Sequence, residues 1–246
     1  MFEMSGRRVL VTGASSGIGA HFARMLAARG ARVAAAARRR DALDALAAEG
    51  DAAIVAVPLD AADPESVRAG VAAAAEALGG LDGAVLNAGA ARSGPALETS
   101  EADWRAVMDV NLDGVFRTAQ AAARAMPEGG AIVATGSILG FGTGRGLAAY
   151  AASKAAVAHL VKALAVEWAA SGLRVNAIAP GYVPTDINRA FLESPRGRAM
   201  LSRIPMGRFG EPSDLDGALL LLLSDAGRYI TGTTIPVDGG HLSAPL

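Results

Sequence analysis

Tyr150 and Lys154 are the two side chains of this 246-residue sequence whose types and spacing most directly suggest chemistry. They lie four residues apart, and on a helix that spacing places both side chains on the same face. With three tyrosines and two lysines in the chain, such a pair arises by chance with a probability of about 2%. A phenol beside an ammonium is suited to proton transfer at oxygen, because the positive charge favours the phenolate.

Ser137 lies 13 residues before Tyr150, at the predicted end of a strand, where its hydroxyl can reach the same pocket. A free phenol titrates near 10, and lowering its pKa to about 7 requires roughly 4 kcal/mol. Lys154 is placed to supply much of that energy. Alone, Ser137 is typical of a turn and Tyr150 of a half-buried helix, but together the three residues predict a catalytic group.

A glycine-rich segment, Thr12 to Gly19, reads TGASSGIG and follows the first predicted strand. Its GxxxGxG spacing differs from the GxGxxG dinucleotide fingerprint, and it lacks the lysine of a GxxxxGK phosphate loop. Between a strand and a helix, such glycines let backbone N–H groups approach a pyrophosphate. An ordinary glycine-rich turn is the alternative, and the position in the chain favours dinucleotide binding.

Short apolar runs alternate with amphipathic stretches, which is typical of a parallel sheet covered by helices. Strands are predicted over 9–12, 32–37, 53–57, 84–87, 131–137, 173–179 and 234–237. Helices are predicted over 17–29, 41–49, 63–78, 100–126, 147–170 and 212–224, and 180–212 is irregular with one or two helices inside it. The pattern predicts an α/β, doubly wound Rossmann-like fold: one domain over 1–246, with a seven-stranded parallel sheet and helices on both faces.

The sequence resembles the short-chain dehydrogenase/reductase family, of the classical type, over almost the whole chain. The matching residues are Thr12 to Gly19, Asp60, Asn87-Ala88-Gly89, Asn111, Ser137, Tyr150, Lys154, Pro180-Gly181, Thr185 and Val237-Asp238-Gly239-Gly240. Many members have two asparagines before Ala-Gly, whereas this chain has Leu86 at the first of these positions. Asn87 occupies the second position.

The resemblance implies four catalytic residues. Tyr150 would be the general acid, or the base in the oxidative direction, and Ser137 would donate a hydrogen bond to the substrate oxygen. Lys154 would also hold the nicotinamide ribose, and Asn111 would hold a water that relays protons to Lys154. The implied reaction interconverts a ketone and a secondary alcohol by hydride transfer.

The resemblance also implies a set of cofactor-binding positions at the strand ends. They are Gly13, Ser15, Ser16, Gly17, Ile18, Gly19, Arg38, Asp60, Ala61, Asn87, Ala88, Gly89, Tyr150, Lys154, Pro180, Gly181, Val183 and Thr185. An acid that would bind the ribose of NAD is replaced by Ala37, and Arg38 follows it, which favours NADP(H) over NAD(H). Asp41 lies close enough to keep NAD(H) open as the alternative.

NADPH-dependent carbonyl reduction is therefore the expected activity. An NAD-dependent sugar-acid or polyol dehydrogenase remains an alternative, as does a catalytically silent dinucleotide-binding or structural subunit. The segment 180–212 is expected to act as a substrate lid. The range 184–210 contains five arginines and only two acidic residues. This excess of positive charge either favours anionic substrates or is merely solvated at the surface.

Composition limits the partners. With 23 basic and 24 acidic side chains the chain lacks the basic excess of a nucleic-acid binder, and its longest aliphatic run, of six residues, is too short to span a membrane. It contains no cysteine, and its three scattered histidines indicate no metal site. The first residues show no secretory signal, so the expected location is cytoplasmic. Family analogy and alanine-rich helix faces suggest a homotetramer that acts on a small molecule.

Overall fold

The computed structural model describes residues 2–50, 53–186 and 188–244, and it contains a seven-stranded sheet in which all strands are parallel. The strands are β1 (Arg8–Thr12), β2 (Arg32–Ala37), β3 (Ile54–Pro58), β4 (Gly83–Leu86), β5 (Gly130–Thr135), β6 (Leu173–Pro180) and β7 (Thr234–Val237). Their order is β3-β2-β1-β4-β5-β6-β7. The predicted doubly wound, Rossmann-like α/β fold is confirmed.

Nine α-helices connect these strands within the described residues. They are α1 (Gly17–Ala28), α2 (Arg40–Glu49), α3 (Pro64–Leu78), α4 (Glu101–Met108), α5 (Gly114–Arg124), α6 (Ala148–Trp168), α7 (Arg189–Glu193), α8 (Pro195–Ala199) and α9 (Asp216–Leu223). Among them, no helix has both the length and the apolar character required to cross a membrane.

The strands bury side chains on both faces, because helices cover each side of the sheet. Leu10 packs in one core with residues of α3, α5 and α6, whereas its neighbours Val9 and Val11 pack in the other with residues of α1, α2 and α9. Successive side chains of β1 therefore belong to two separate apolar layers, one on each face of the sheet. Both layers lie below the carboxyl edge of the sheet, where the candidate functional residues are found.

The strand order reverses beside β1, which lies between β2 and β4. Connections on the two sides of this point lead to opposite faces of the sheet, so a crevice opens beyond the carboxyl ends of β1 and β4. The glycine-rich turn after β1 and the Asn87-Ala88-Gly89 segment after β4 both lie at this crevice.

The predicted long helix over 100–126 is wrong in one respect. The helix begins as predicted, after Ser100, which caps the first turn because its hydroxyl oxygen accepts a hydrogen bond of 3.0 Å from Asp103 N. A π-helical turn, Asp109–Asp113, then separates α4 from α5. Asn111 lies in this turn, which holds one residue more than a regular helical turn, and its side chain is completely buried. A polar side chain on a regular surface helix would instead lie in water.

The irregular region of 180–212 contains two short helices, as expected, and the predicted helix over 212–224 begins with a 3-10 turn, Pro212–Leu215, before α9. The start of α3 follows its sequence signals closely. Asp63 is the N-cap and accepts a hydrogen bond of 2.9 Å from Glu65 N, and Pro64 occupies the first helical position.

Gly114→Ala should destabilise the protein, because a Cβ at the start of α5 would lie 2.5 Å from Ala61 O. We expect a loss of about 1–3 kcal/mol in the free energy of unfolding, measured by urea denaturation. Gly217→Ala in α9 is the matched control, since its Cβ would meet no atom within 4 Å. That variant should gain up to about 1 kcal/mol from helix propensity, and equal effects at both sites would contradict the packing argument.

Candidate active site

The turn between β1 and α1 has the backbone geometry that an anion requires. Gly13 and Gly17 have φ angles of +67° and +55°, and a Cβ at Gly13 would lie 2.8 Å from Ala88 Cα. A Cβ at Gly19 would overlap Gly13 O. Ser16 is the N-cap of α1 but makes no capping hydrogen bond, and the first turn holds no acidic residue. The first N–H groups of α1 therefore remain available to a diphosphate.

A hydrogen-bond network fixes this turn against the end of β4. Thr12 Oγ1 accepts from Asn87 N at 3.0 Å and from Ala88 N at 3.2 Å. Asn87 Nδ2 in turn donates to Thr12 O at 3.3 Å. The glycine turn and the Asn87-Ala88-Gly89 segment, both assigned to the cofactor from sequence, are thus brought together.

An arginine that sequence reasoning did not select lies on the glycine turn. Arg39 Nε and Nη2 donate to Ser15 Oγ at 3.2 Å and to Ser16 Oγ at 2.6 Å. Arg38, the predicted phosphate ligand, is an exposed side chain at the end of β2. The only sequence signal for Arg39 was the run of three arginines after Ala37, and the run does not tell which of them turns toward the glycines.

Asp60 and Ala61 lie in the turn after β3. Asp60 N donates to Ser66 Oγ at 2.9 Å, and Asp60 Oδ1 accepts from Ala62 N at 3.0 Å. Ala61 is buried against the start of α5, as the close approach of Gly114 to its carbonyl shows. Both residues border the crevice at the edge of the sheet.

The structure brings Ser137, Tyr150 and Lys154 together between the end of β5 and the start of α6. Ser137 and Lys154 are buried, and Tyr150 is partly exposed. Lys154 Nζ donates to Thr135 O at 2.7 Å and lies 5.7 Å from the centroid of the Tyr150 ring. The ammonium is therefore held beside the aromatic ring by the backbone of β5.

The electrostatics of this pair differ from the sequence expectation. Burial lowers the pKa of Lys154 to about 8. Burial also raises the pKa of Tyr150, and the hydrogen bond to the neighbouring Ser137 side chain only opposes that shift. The pKa of the Tyr150 phenol is therefore raised, whereas the sequence predicts that it is lowered. Removal from water disfavours the charged phenolate of Tyr150, just as it disfavours the charged ammonium of Lys154.

Asn111 connects this group to the segment after β4. Its Oδ1 accepts from Ala90 N at 2.7 Å, and its Nδ2 donates to Ala90 O at 2.9 Å and to Ser153 Oγ at 3.1 Å. A Cβ at Gly89 would lie 3.6 Å from Asn111 Oδ1 and 3.9 Å from Lys154 Nζ. The amide oxygen of Asn111 and the ammonium of Lys154 therefore both lie next to Gly89.

The turn after β6 closes the crevice. It follows Pro180, the last residue of β6, and carries Gly181, Val183 and Thr185. Its conformation is held by Asn188, whose Nδ2 donates to Val183 O at 2.9 Å and whose Oδ1 accepts from Thr185 N at 2.8 Å. A Cβ at Gly17 would lie 3.4 Å from Thr185 Cγ2. The structure thus places this turn next to the glycine turn, and Ile18 lies beside both, at the start of α1.

The arginines of 184–210 are exposed side chains, and two of them have local partners. Arg208 pairs with Asp214 at 2.6 Å, and Arg198 donates to Glu193 O. Both contacts are made within the segment or at its edge.

Comparisons with known proteins place this arrangement in context. Residues 13–241 match the family model described as "Enoyl-(Acyl carrier protein) reductase". The chain is 45% identical to galactitol 2-dehydrogenase (L-tagatose-forming) of Cereibacter sphaeroides, with 98% of this chain and 97% of that protein covered. It is 41% identical to D-threitol dehydrogenase of Mycolicibacterium smegmatis, with 98% and 94% covered.

A solved structure shows the same fold. The crystal structure of a gluconate 5-dehydrogenase from Burkholderia cenocepacia in complex with NADP and tartrate superimposes with a TM-score of 0.95. The two chains are 38% identical, and the match covers 99% of this chain and 98% of the other.

Lys154→Met should stabilise the free protein at pH 7. Burial lowers the pKa of Lys154 from the usual 10.5 to about 8 in the folded state, so the buried ammonium costs about 3 kcal/mol whenever both the folded and the unfolded state are protonated. Loss of the hydrogen bond to Thr135 O offsets about 1 kcal/mol, which leaves a net gain of about 2 kcal/mol. Urea denaturation across pH 7–10.5 measures it.

The sign of the pH dependence follows from linkage. Wild-type stability should rise relative to Lys154→Met as the pH increases from about 8 toward 10.5, because the folded state loses its proton first. Lys162→Met, at an exposed position on the same helix, is the control and should change stability by less than about 0.5 kcal/mol. A pH-independent difference would show that burial of the charge is not its cause.

Proposed function

The chain belongs to the short-chain dehydrogenase/reductase family and is an NAD(P)-dependent oxidoreductase, and from that premise we propose that it interconverts a ketone and a secondary alcohol with NADP(H), through Ser137, Tyr150 and Lys154. The observation that carries the proposal is the convergence of these three side chains at the carboxyl edge of the sheet, beside a glycine turn shaped for a diphosphate. A catalytically silent subunit would not require this group.

The residues that would hold the cofactor lie along the crevice. The diphosphate would lie on the N–H groups at the start of α1, the adenine against Asp60 and Ala61, and the nicotinamide against Gly181 and Val183. Lys154 would bind the nicotinamide ribose. When bound, the nicotinamide would supply a hydride to the carbonyl carbon, or accept one from the alcohol carbon in the reverse direction.

Proton transfer at the substrate oxygen would fall to Tyr150. In reduction, the carbonyl carbon gains the hydride and its oxygen takes the phenolic proton, which leaves a phenolate that is reprotonated from solvent. Ser137 Oγ would donate a hydrogen bond to the same oxygen. Burial raises the pKa of the Tyr150 phenol, so this side chain carries at neutral pH the proton that reduction requires.

Lys154 and Asn111 would restore the proton. The buried ammonium beside the Tyr150 ring would stabilise the phenolate once it forms, because attraction between opposite charges is strong where water is excluded. Asn111 Oδ1 and Lys154 Nζ both lie next to Gly89, and Asn111 would hold the water of a proton relay. In oxidation the phenol must first ionise, so that direction should become faster as the pH rises.

Three residues at the end of β2 and just after it support NADP(H) over NAD(H). Ala37 offers no acid to the ribose hydroxyls, and Arg38 and Arg39 are exposed cations at the same place. Arg39 already contacts Ser15 and Ser16 of the glycine turn, so its guanidinium would be available to a 2′-phosphate on the adenosine ribose.

We also propose that the chain folds as one domain and that 180–212 closes over the substrate. Exposed apolar side chains, Phe116 on α5 and Val166 on α6, support burial against further copies, and a homotetramer is the proposed assembly. The cytoplasm, which supplies nicotinamide cofactors, is the proposed location.

Tyr150→Phe tests the proposed reaction. Turnover should fall by about 100- to 10,000-fold, followed by the nicotinamide absorbance with a panel of ketones and secondary alcohols, because the proton donor is removed. The Kd for NADPH should change by less than about threefold, since the ring still packs. Tyr229→Phe, at a fully exposed tyrosine, should leave both quantities unchanged. A loss of turnover below tenfold would mean that another group is the acid.

Arg39→Ala and Arg38→Ala test the cofactor preference. Each should lower kcat/KM for NADPH by about 10- to 100-fold and leave that for NADH within about twofold, because a charge-assisted hydrogen bond to phosphate is lost. Arg40→Ala is the matched control, since the Arg40 side chain instead pairs with Asp44 at 3.2 Å. Equal losses of kcat/KM with NADPH and with NADH would show that these arginines do not contact the 2′-phosphate.

A further inference from the structure

The backbone ladder between β4 and β5 ends just before the residues that border the crevice. Its last register pair is Leu86 and Ala134, and Asn87 and Thr135 are the next residues of the two strands. Thr135 is buried, and its Oγ1 donates a hydrogen bond of 3.2 Å to Asn87 Oδ1. A side-chain hydrogen bond therefore joins the two strand ends where the ladder stops.

Contacts on the other side of the Asn87 amide fix which way round it lies. Its Nδ2 donates to Thr12 O at 3.3 Å and to Gly13 O at 3.5 Å. Carbonyl oxygens only accept hydrogen bonds, so the NH2 half of the amide faces them and the Oδ1 half faces Thr135. The Thr135 hydroxyl is therefore the donor of this pair. A side chain of the same shape without a donor would take this partner away from Oδ1.

The Asn87 amide also packs directly against the glycine turn. A Cβ at Gly19 would lie 2.5 Å from Asn87 Nδ2, and a Cβ at Gly13 would lie 3.1 Å from it. Because so little space separates the amide from the turn, a tilt of the amide displaces the turn or opens a gap beside it. The direction of the Asn87 amide is thus a constraint on the turn proposed to receive the diphosphate.

Thr135 contacts the two halves of the site through different atoms. Its backbone oxygen accepts a hydrogen bond of 2.7 Å from Lys154 Nζ, whereas its side chain contacts Asn87. A substitution of the side chain leaves the backbone oxygen in place. The hydroxyl can therefore be removed while the acceptor of the Lys154 ammonium is kept, and the effect on cofactor binding can be separated from that on proton transfer.

We propose that Thr135 is a positioning residue for the dinucleotide, whose hydroxyl holds the Asn87 amide in the one direction that keeps the glycine turn shaped for the diphosphate. The proposal rests on the cofactor site proposed above and adds a residue to it. Thr135 acts through Asn87 and does not itself contact the cofactor. Its effect is the same for NADPH and NADH, because both carry the diphosphate.

Thr135→Val removes the hydroxyl and keeps the branched shape. The Kd for NADPH and that for NADH should each rise about tenfold, which corresponds to about 1.4 kcal/mol, measured by the fluorescence of the reduced nicotinamide. At saturating NADPH, kcat should stay within about twofold, because Thr135 O still holds Lys154. Thr135→Ser keeps the donor and should bind both cofactors within about threefold of the wild-type protein.

Thr118→Val is the matched control. Thr118 is also buried, and its Oγ1 donates to Gly114 O at 2.7 Å within α5. The same atoms are removed, so a general effect of losing a buried hydroxyl would appear in this variant too. Its Kd for either cofactor should change by less than about twofold. Equal changes in Thr118→Val and Thr135→Val, or equal losses in Thr135→Ser and Thr135→Val, would overturn the proposal.

A double-mutant cycle tests whether Thr135 acts through Asn87. Asn87→Ala should weaken NADPH binding at least tenfold, and adding Thr135→Val to it should weaken binding by less than a further twofold. Independent, multiplying effects would show that the hydroxyl does not act through the amide. A fall in kcat with an unchanged Kd would place the effect of the side chain at Lys154 and would likewise contradict the proposal.

Hydrogen exchange in the cofactor-free protein separates this inference from the proposed function. The Asn87 and Ala88 N–H groups both donate to Thr12 Oγ1, so they report how firmly the end of β4 is held to the turn. In a peptide that spans 84–90, these N–H groups should exchange about tenfold faster in Thr135→Val and at an unchanged rate in Thr118→Val. Wild-type protein that binds neither cofactor would count against the proposed function, whereas unchanged exchange in Thr135→Val would overturn the role of Thr135.

Discussion

The buried ammonium of Lys154 is the constraint on which the rest of the site depends. Burying a cation is unfavourable, and here one backbone carbonyl, Thr135 O, and the face of the Tyr150 ring are its neighbours. Thr135 also donates through Oγ1 to Asn87 Oδ1 at 3.2 Å, and Asn87 holds the glycine turn through Thr12. The charge proposed to serve proton transfer is thus linked by hydrogen bonds to the turn proposed to receive the diphosphate. Displacing either one disturbs the other.

The π turn at Asp109–Asp113 solves a related packing problem. In a regular helix from 101 to 124, the 3.6-residue period would fix the direction of the Asn111 side chain. The residue inserted by the π turn changes that direction, and the Asn111 amide contacts both Ala90 and Ser153. Every polar atom of that amide is then satisfied in a fully buried position. The helix loses regularity, and the site gains a rigid connection between the segment after β4 and the start of α6.

The sequence predicted the fold well because strand and helix periods, caps and glycines are local signals, as at Asp63 and Pro64. It also singled out Tyr150 and Lys154, since rare residue types at helical spacing are visible in one dimension, and the structure brings both side chains together with Ser137. Their catalytic roles stay a proposal. The π turn was missed because Asp-Val-Asn-Leu-Asp has an ordinary helical pattern. The position of Arg39 and the direction of the Tyr150 pKa depend on side-chain conformation and on burial, and neither quantity is encoded in the spacing of residues. The same holds for His241 Nδ1, a buried atom without a hydrogen-bond partner in the described part of the chain, because no residue pattern reveals it.

The two halves of the carboxyl edge are built by different means. On the side proposed for the cofactor, backbone atoms meet at van der Waals distance, as at Gly13 and Ala88, so the shape tolerates little change. On the side proposed for the substrate, a cavity is lined by residues of the turn after β6, of the end of the 180–212 segment and of the turn after β7. None of the lining residues is Ser137, Tyr150 or Lys154. Substitutions in this wall would therefore alter which molecule fits while these three side chains remain in place, and this separation would allow one scaffold to serve chemically different alcohols.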